Sequence, residues 1–99
     1  MLSENSEGNL DLKEDPEELS RSWDWHVRRK LAWNSDTPVE ILSYLARDQV
    51  QWVREAVAGN ACTPTSTLAR LAEDSSGFVR AAVALNRQAT SEMLESLAG

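Results

Sequence analysis

The sequence predicts an all-α fold: a short α-solenoid of three two-helix units of 26 residues, preceded by an N-terminal partial unit. Three observations lead there. The pair Val27-Arg28 returns as Val53-Arg54 and again as Val79-Arg80, with a constant spacing of 26 residues and no gaps. Seven positions are identical in all three copies, among them Asn34, Asn60 and Asn86 and the leucines 42, 68 and 94, so a chance match of apolar runs is a poor explanation. Each copy also carries two short apolar stripes at helical spacing, separated by turn residues.

The units fall at 26–51, 52–77 and 78–99, with the partial unit at 15–25. Residues 1–14 precede them. The first 20 residues hold seven acids against Lys13, a net of -6, which is the formal charge of the whole chain. Ser3 to Asn9 is polar and aperiodic, so 1–14 is expected to be a disordered acidic tail. Its alternative use is as an acidic ligand or electrostatic decoy.

Helix starts and stops follow in order. Asp15-Pro16-Glu17-Glu18 places a capping aspartate, a proline and two acids where a first turn wants them. About one turn of helix is expected, closing the open end of the stack. Trp23 and Trp25 follow, either as a hydrophobic lid over that end or as exposed aromatic anchors for a partner. In the middle unit Val53, Ala56 and Val57 lie at i, i+3 and i+4, one face of a first helix. Asn60 after it suggests a left-handed helix end. Thr63-Pro64 then opens a second helix, with the threonine expected to cap it and the proline at its first position. Thr37 and Glu40 have the spacing of a capping box. Leu68, Leu71 and Ala72 form the second stripe, and Asp74-Ser75-Ser76-Gly77 turns into the next unit. Helices this short are stable only by burying both stripes against neighbouring copies. Alanine at 32, 58 and 84, and at 46, 72 and 98, keeps facing helices close. In the third unit Ala89-Thr90 replaces Thr-Pro, so its second helix is expected to begin less firmly.

The string Val53-Arg54-Glu55-Ala56-Val57-Ala58-Gly59-Asn60, followed by Thr63-Pro64, Leu68, Leu71-Ala72 and Asp74, resembles the leucine-rich repeat variant family, a relative of HEAT-like repeats. The likeness covers residues 19–99. It implies short stacked helices, one per unit often of 3₁₀ type, wound into a right-handed superhelix that binds macromolecules. This chain departs from the pattern where Ser35, Ala61 and Arg87 stand in place of a proline, and its period is slightly long. A fold of this kind does not supply a function by itself.

Few residues suggest chemistry. A lone cysteine, Cys62, excludes an internal disulfide or a multi-cysteine metal site, and a lone histidine, His26, excludes most histidine-based ones. No nucleophile–base set, phosphate loop or carboxylate pair is recognisable, so the expectation is a non-enzyme with no cofactor and no metal. His26 aligns with Trp52 and Phe78 and is expected at the edge of the core. The asparagine ladder is better explained by helix ends than by a ligand.

The arginine ladder Arg28, Arg54 and Arg80 has two readings. It is either a stripe for phosphates, nucleic acid or acidic peptide, or a set of ties between units. Asp48 precedes Arg54 by six residues and Asp74 precedes Arg80 by six, which favours ties; Ser22 stands before Arg28 and would leave it free. Arg28-Arg29-Lys30 is the only basic run, a candidate small anion patch. A formally neutral repeat body and a pI near 4.7 argue against nucleic acid.

The expected function is a protein–protein interaction module or scaffold. The candidate partner-binding residues are Trp23, Trp25, Arg28, Arg29, Trp33, Tyr44 and Met93. Met93, Leu94 and Leu97 mark the end of the last unit, where docking or weak dimerisation is expected and a monomer is the alternative. Apolar runs are too short to span a bilayer, and Met1-Leu2-Ser3-Glu4-Asn5 lacks the basic and apolar stretches of a secretory signal, so a cytoplasmic protein is expected.

Overall fold

A computed structural model describes residues 15–89. Over that range the chain is helical, and no strand occurs among the described residues. Six helices follow one another: α1 (Pro16–Leu19), α2 (Trp25–Trp33), α3 (Val39–Leu45), α4 (Gln51–Gly59), α5 (Thr65–Leu71) and α6 (Gly77–Leu85). The nine-residue helices α2, α4 and α6 recur at the period of the sequence, and α4 packs against both α2 and α6. The shorter α3 and α5 contact the helices before and after them.

The stripes read from the sequence form the core. Val53, Ala56 and Val57 of α4 are fully buried, as are Leu42 and Leu45 of α3 and Leu68 of α5, with Leu71 nearly so. Burying each such aliphatic side chain contributes about 1.5–3 kcal/mol, which holds together helices too short to persist alone. Ala32 and Ala58 are completely buried, whereas Ala84 on α6 is exposed among the described residues.

α1 starts as its sequence requires: the Asp15 carboxylate accepts from the Glu17 N–H at 3.0 Å, and Pro16 begins the helix. Other helix ends differ from expectation. Asn34, Asn60 and Asn86 leave their helices in extended backbone, φ -77° to -80° and ψ 124° to 131°, so no left-handed turn is made. The amide side chains of Asn60 and Asn86 are needed elsewhere. Asn60 Nδ2 donates to the carbonyls of Ala32 (2.9 Å) and Asn34 (3.1 Å), and Asn86 Nδ2 donates to those of Ala58 (2.7 Å) and Asn60 (3.0 Å). The amide oxygens accept from the N–H two residues on, in Cys62 and Gln88. Asn60 and Asn86 therefore bolt their own helix ends to the preceding ones.

The threonines also turn away from their expected role. Thr37 Oγ1 donates to the Leu31 carbonyl at 2.6 Å, and Thr63 Oγ1 to that of Val57 at 2.7 Å. Both hydroxyls close the helix before them rather than capping the one after. Pro38 and Pro64 sit at the N-cap positions of α3 and α5 without a side-chain cap, and the capping box of Thr37 with Glu40 does not form. A carbonyl at a helix C-terminus is an acceptor already short of a partner, and a buried hydroxyl satisfies it.

Candidate functional site

The arginine ladder is the first group the helices position. Arg28 Nε and Nη2 donate to the two carboxylate oxygens of Asp48 at 2.7 and 3.1 Å, and Arg54 repeats the fork on Asp74 at 2.8 and 3.1 Å. The partner lies 20 residues ahead, in the turn that follows the next short helix, and not six residues behind. What lies six residues behind is a main-chain carbonyl: Nη1 of Arg28, Arg54 and Arg80 donates to Ser22, Asp48 and Asp74 respectively, at 2.6–2.7 Å. The six-residue pairing of carboxylate and guanidinium is thus corrected, and Arg28 is not free. Its own Asp48 bond, with burial opposing, raises the Arg28 pKa above the ordinary guanidinium value. Arg80 holds no carboxylate among the described residues.

Each fork closes within its own unit, 26–51 or 52–77, while the main-chain bond six residues back crosses to the unit before, and each aspartate is itself pinned. Asp48 Oδ1 accepts the Val50 N–H at 2.9 Å, and Asp74 Oδ1 accepts the Ser76 N–H at 2.8 Å. A carboxylate held by main chain on one side presents a fixed pair of lone pairs to a planar guanidinium on the other. With both sides satisfied and the pair largely buried, two of the three arginines are occupied and no open stripe of cations results.

The aromatic candidates separate. Trp23 is 92% exposed, so the lid over the N-terminal end does not include it. Trp25 is half-buried against the core and stacks on His26 with ring centroids 3.9 Å apart. His26 itself is exposed at the start of α2 rather than at the core edge, with Nδ1 3.1 Å from Asp24 Oδ1. Asp24 caps α2 through the His26 N–H, and that bond first, then the histidine side chain, holds its carboxyl below the usual carboxylate range. Arg29 is exposed on α2, apart from the Arg28 fork. Met93, Leu94 and Leu97 lie outside the described residues, as does the start of the third unit's second helix.

Trp33 joins residues that sequence reasoning did not combine. Its indole lies over Gly59, where a β-carbon would sit 2.9 Å from Cη2 and 3.1 Å from Cζ3. Positions 33 and 59 are equivalent in the repeat, so a tryptophan in one unit is accommodated by a glycine in the next. Beyond Gly59, Phe78, Ala81, Ala82 and Leu85 of α6 continue the same surface, with Glu55 at the rim, to form a cleft of about 330 Å3 across three helices. Trp33, Phe78 and Leu85 are 46%, 60% and 86% exposed. The period-26 alignment did contain the signal: Trp33, Gly59 and Leu85 form one register, large, absent and large.

Tyr44, also exposed, lies elsewhere, in a second cleft of about 320 Å3 with Arg21, Arg28 and Arg47. Cys62 is exposed in the turn after α4. No helix among the described residues is long and apolar enough to cross a membrane. Comparison of the chain with models of known families, with curated proteins and with solved structures finds no match.

Proposed function

We infer that this chain is a non-enzymatic protein-interaction module, a short α-solenoid of the leucine-rich repeat variant kind wound as a right-handed superhelix, which docks a protein partner in the cleft beneath Trp33. The observation that carries the reading is the cleft itself. It gathers Trp33, Phe78 and Leu85, three exposed large apolar side chains, on one surface, while most large aliphatic side chains among the described residues are buried in the core. Contiguous exposed apolar area rimmed by polar groups is where proteins meet, and tryptophan is the side chain most enriched among residues that dominate binding energy. Glu55, half-buried at the rim with no partner among the described residues, specifies the occupant: a segment with one bulky apolar anchor beside a lysine or arginine.

The test is affinity capture from the native cell extract with wild type, Trp33→Ala and Leu85→Asp, each checked for helicity. The captured protein is then purified and titrated by calorimetry. Loss of the order of 2 kcal/mol or more is expected for Trp33→Ala, and Glu55→Lys weakens binding through the basic residue. A partner that binds all three variants as tightly as wild type removes this cleft from the reading.

A further inference from the structure

We propose that the cleft between the partial unit and the first unit binds a phosphate monoester, a site independent of the apolar cleft beneath Trp33. Arg21, Arg28 and Arg47 line it with Ser22, Tyr44 and Gln49. Of the three guanidinium groups, Arg28 is held by Asp48 and by the Ser22 carbonyl. Asp48 is spent on Arg28 and on the Val50 N–H, so it offers little repulsion to an incoming anion. The other two arginines are available. Arg47 is exposed, and its guanidinium has no partner among the described residues. Among the described residues the Arg21 guanidinium meets only Glu17, at 3.3 Å with both side chains largely exposed, an i,i+4 pair that contributes little and yields readily to a stronger anion.

The repeat supplies an internal comparison. One unit further on, Asp48 stands in place of Ser22, Arg70 in place of Tyr44 and Glu73 in place of Arg47. That set has three arginines, Arg47, Arg54 and Arg70, against three acids, Asp48, Glu73 and Asp74. The first set has three arginines against Asp48 alone. The excess of positive charge is confined to the first cleft, and it arises from two positions that carry acids in the next unit. Ser22 does the same local work as those aspartates, since its hydroxyl accepts the Asp24 N–H at 3.2 Å as Asp48 and Asp74 accept theirs. The turn is preserved and its charge removed.

The ligand class follows from the donors. A carboxylate has two oxygens and is satisfied by one guanidinium fork. A phosphate monoester brings three acceptor oxygens and a charge of about -1.5 to -2 at neutral pH, enough to engage two guanidinium forks and still accept from a hydroxyl. The cleft volume of about 320 Å3 also leaves room beside Tyr44 for the group that carries the phosphate. That group is either a small molecule or a phosphorylated side chain of another protein.

The experiment is a titration of the full chain, at constant ionic strength, with inorganic phosphate, an acetylated phosphoserine peptide and acetate, read from the amide and arginine Nε–H signals in NMR. Saturable shifts at Ser22, Tyr44, Gln49 and Arg47 are expected with both phosphate probes and only weak ones with acetate. A peptide bound more tightly than inorganic phosphate assigns the site to a phosphorylated protein, and equal affinity assigns it to a free phosphate ester. Arg47→Ala is expected to weaken phosphate by about tenfold or more. Ser22→Asp, which restores the acid of the next unit and keeps the turn acceptor, is expected to abolish saturation while leaving the helical spectrum unchanged. Non-saturating shifts spread over all arginines, acetate binding equal to phosphate, or indifference to both Arg47→Ala and Ser22→Asp overturns the proposal.

Discussion

Removing the Asp74 carboxylate tests directly the tie that closes the second unit on itself. Asp74 accepts two charge-assisted hydrogen bonds from Arg54 and one from the Ser76 N–H, and the Arg54 and Asp74 side chains are 16% and 9% exposed. In Asp74→Ala the guanidinium keeps only the main-chain carbonyls of Asp48 and Gln49. Bonds to charged groups contribute about 1.5–3 kcal/mol each, and breaking a buried pair from one side costs about 3–5 kcal/mol. Water at the exposed edge of Arg54 recovers part of that, so about 2–4 kcal/mol is expected. A body of this size has roughly 4–11 kcal/mol in total. The variant is therefore expected to melt at least about 8 °C lower, at about 4–8 °C per kcal/mol. Urea and thermal unfolding of Asp74→Ala, Arg54→Met and the double variant give the coupling. Arg80→Met is the control: among the described residues the Arg80 guanidinium donates to the main-chain carbonyl of Asp74 and not to its carboxylate, so its cycle with Asp74→Ala shows none. Ser22→Ala loses one 3.2 Å bond to the Asp24 N–H and leaves the carbonyl that holds Arg28, so its cost stays below about 1 kcal/mol. A coupling of Arg54 with Asp74 under about 0.5 kcal/mol, or one shared equally with Arg80, would refute the reasoning.

Three further outcomes are expected. Asn60→Asp replaces a donor facing two main-chain carbonyls, one buried and one partly buried, with a carboxylate, and urea unfolding should show a loss of more than about 3 kcal/mol, exceeding that of Asn60→Ala. Gly59→Ala forces the Trp33 ring aside, yet that ring is half-exposed and free to swing, while alanine favours a helix over glycine by about 1 kcal/mol. Its stability should stay within about 1 kcal/mol of wild type, and the Trp33 indole N–H signal should move. The depressed Asp24 pKa means that the carboxylate stabilises the start of α2 fully above the ordinary aspartate value, and that this is lost as pH falls through the folded value. An acid titration followed at the His26 and Val27 amides should show that midpoint below the usual carboxylate range, and Asp24→Ala should abolish it.

The sequence by itself determined the helical class, the spacing of the long helices and the identity of the core. Val53, Val57, Leu68 and Leu71 recur at intervals that only a helix turns into a single face, and the Asp15-Pro16 start is a matter of neighbouring atoms. Interactions of short reach are written in short stretches of chain. Only the tertiary structure decided which groups meet. The spacing of six residues suggested that Asp74 pairs with Arg80, yet the carboxylate turns to Arg54, because the folding of its own unit brings that guanidinium to it while its main-chain carbonyl serves Arg80 of the next unit. Thr63 and Asn60 look like local caps, but buried carbonyls at the ends of earlier helices claim them first, since a buried acceptor left unpaired costs more than an uncapped exposed helix start. Trp33 lies over Gly59, a contact between residues 26 apart whose side chains share no local pattern. Charge is legible in one dimension, but whether an arginine is spent or available is a property of what packs beside it, and that separates Arg28 from Arg47.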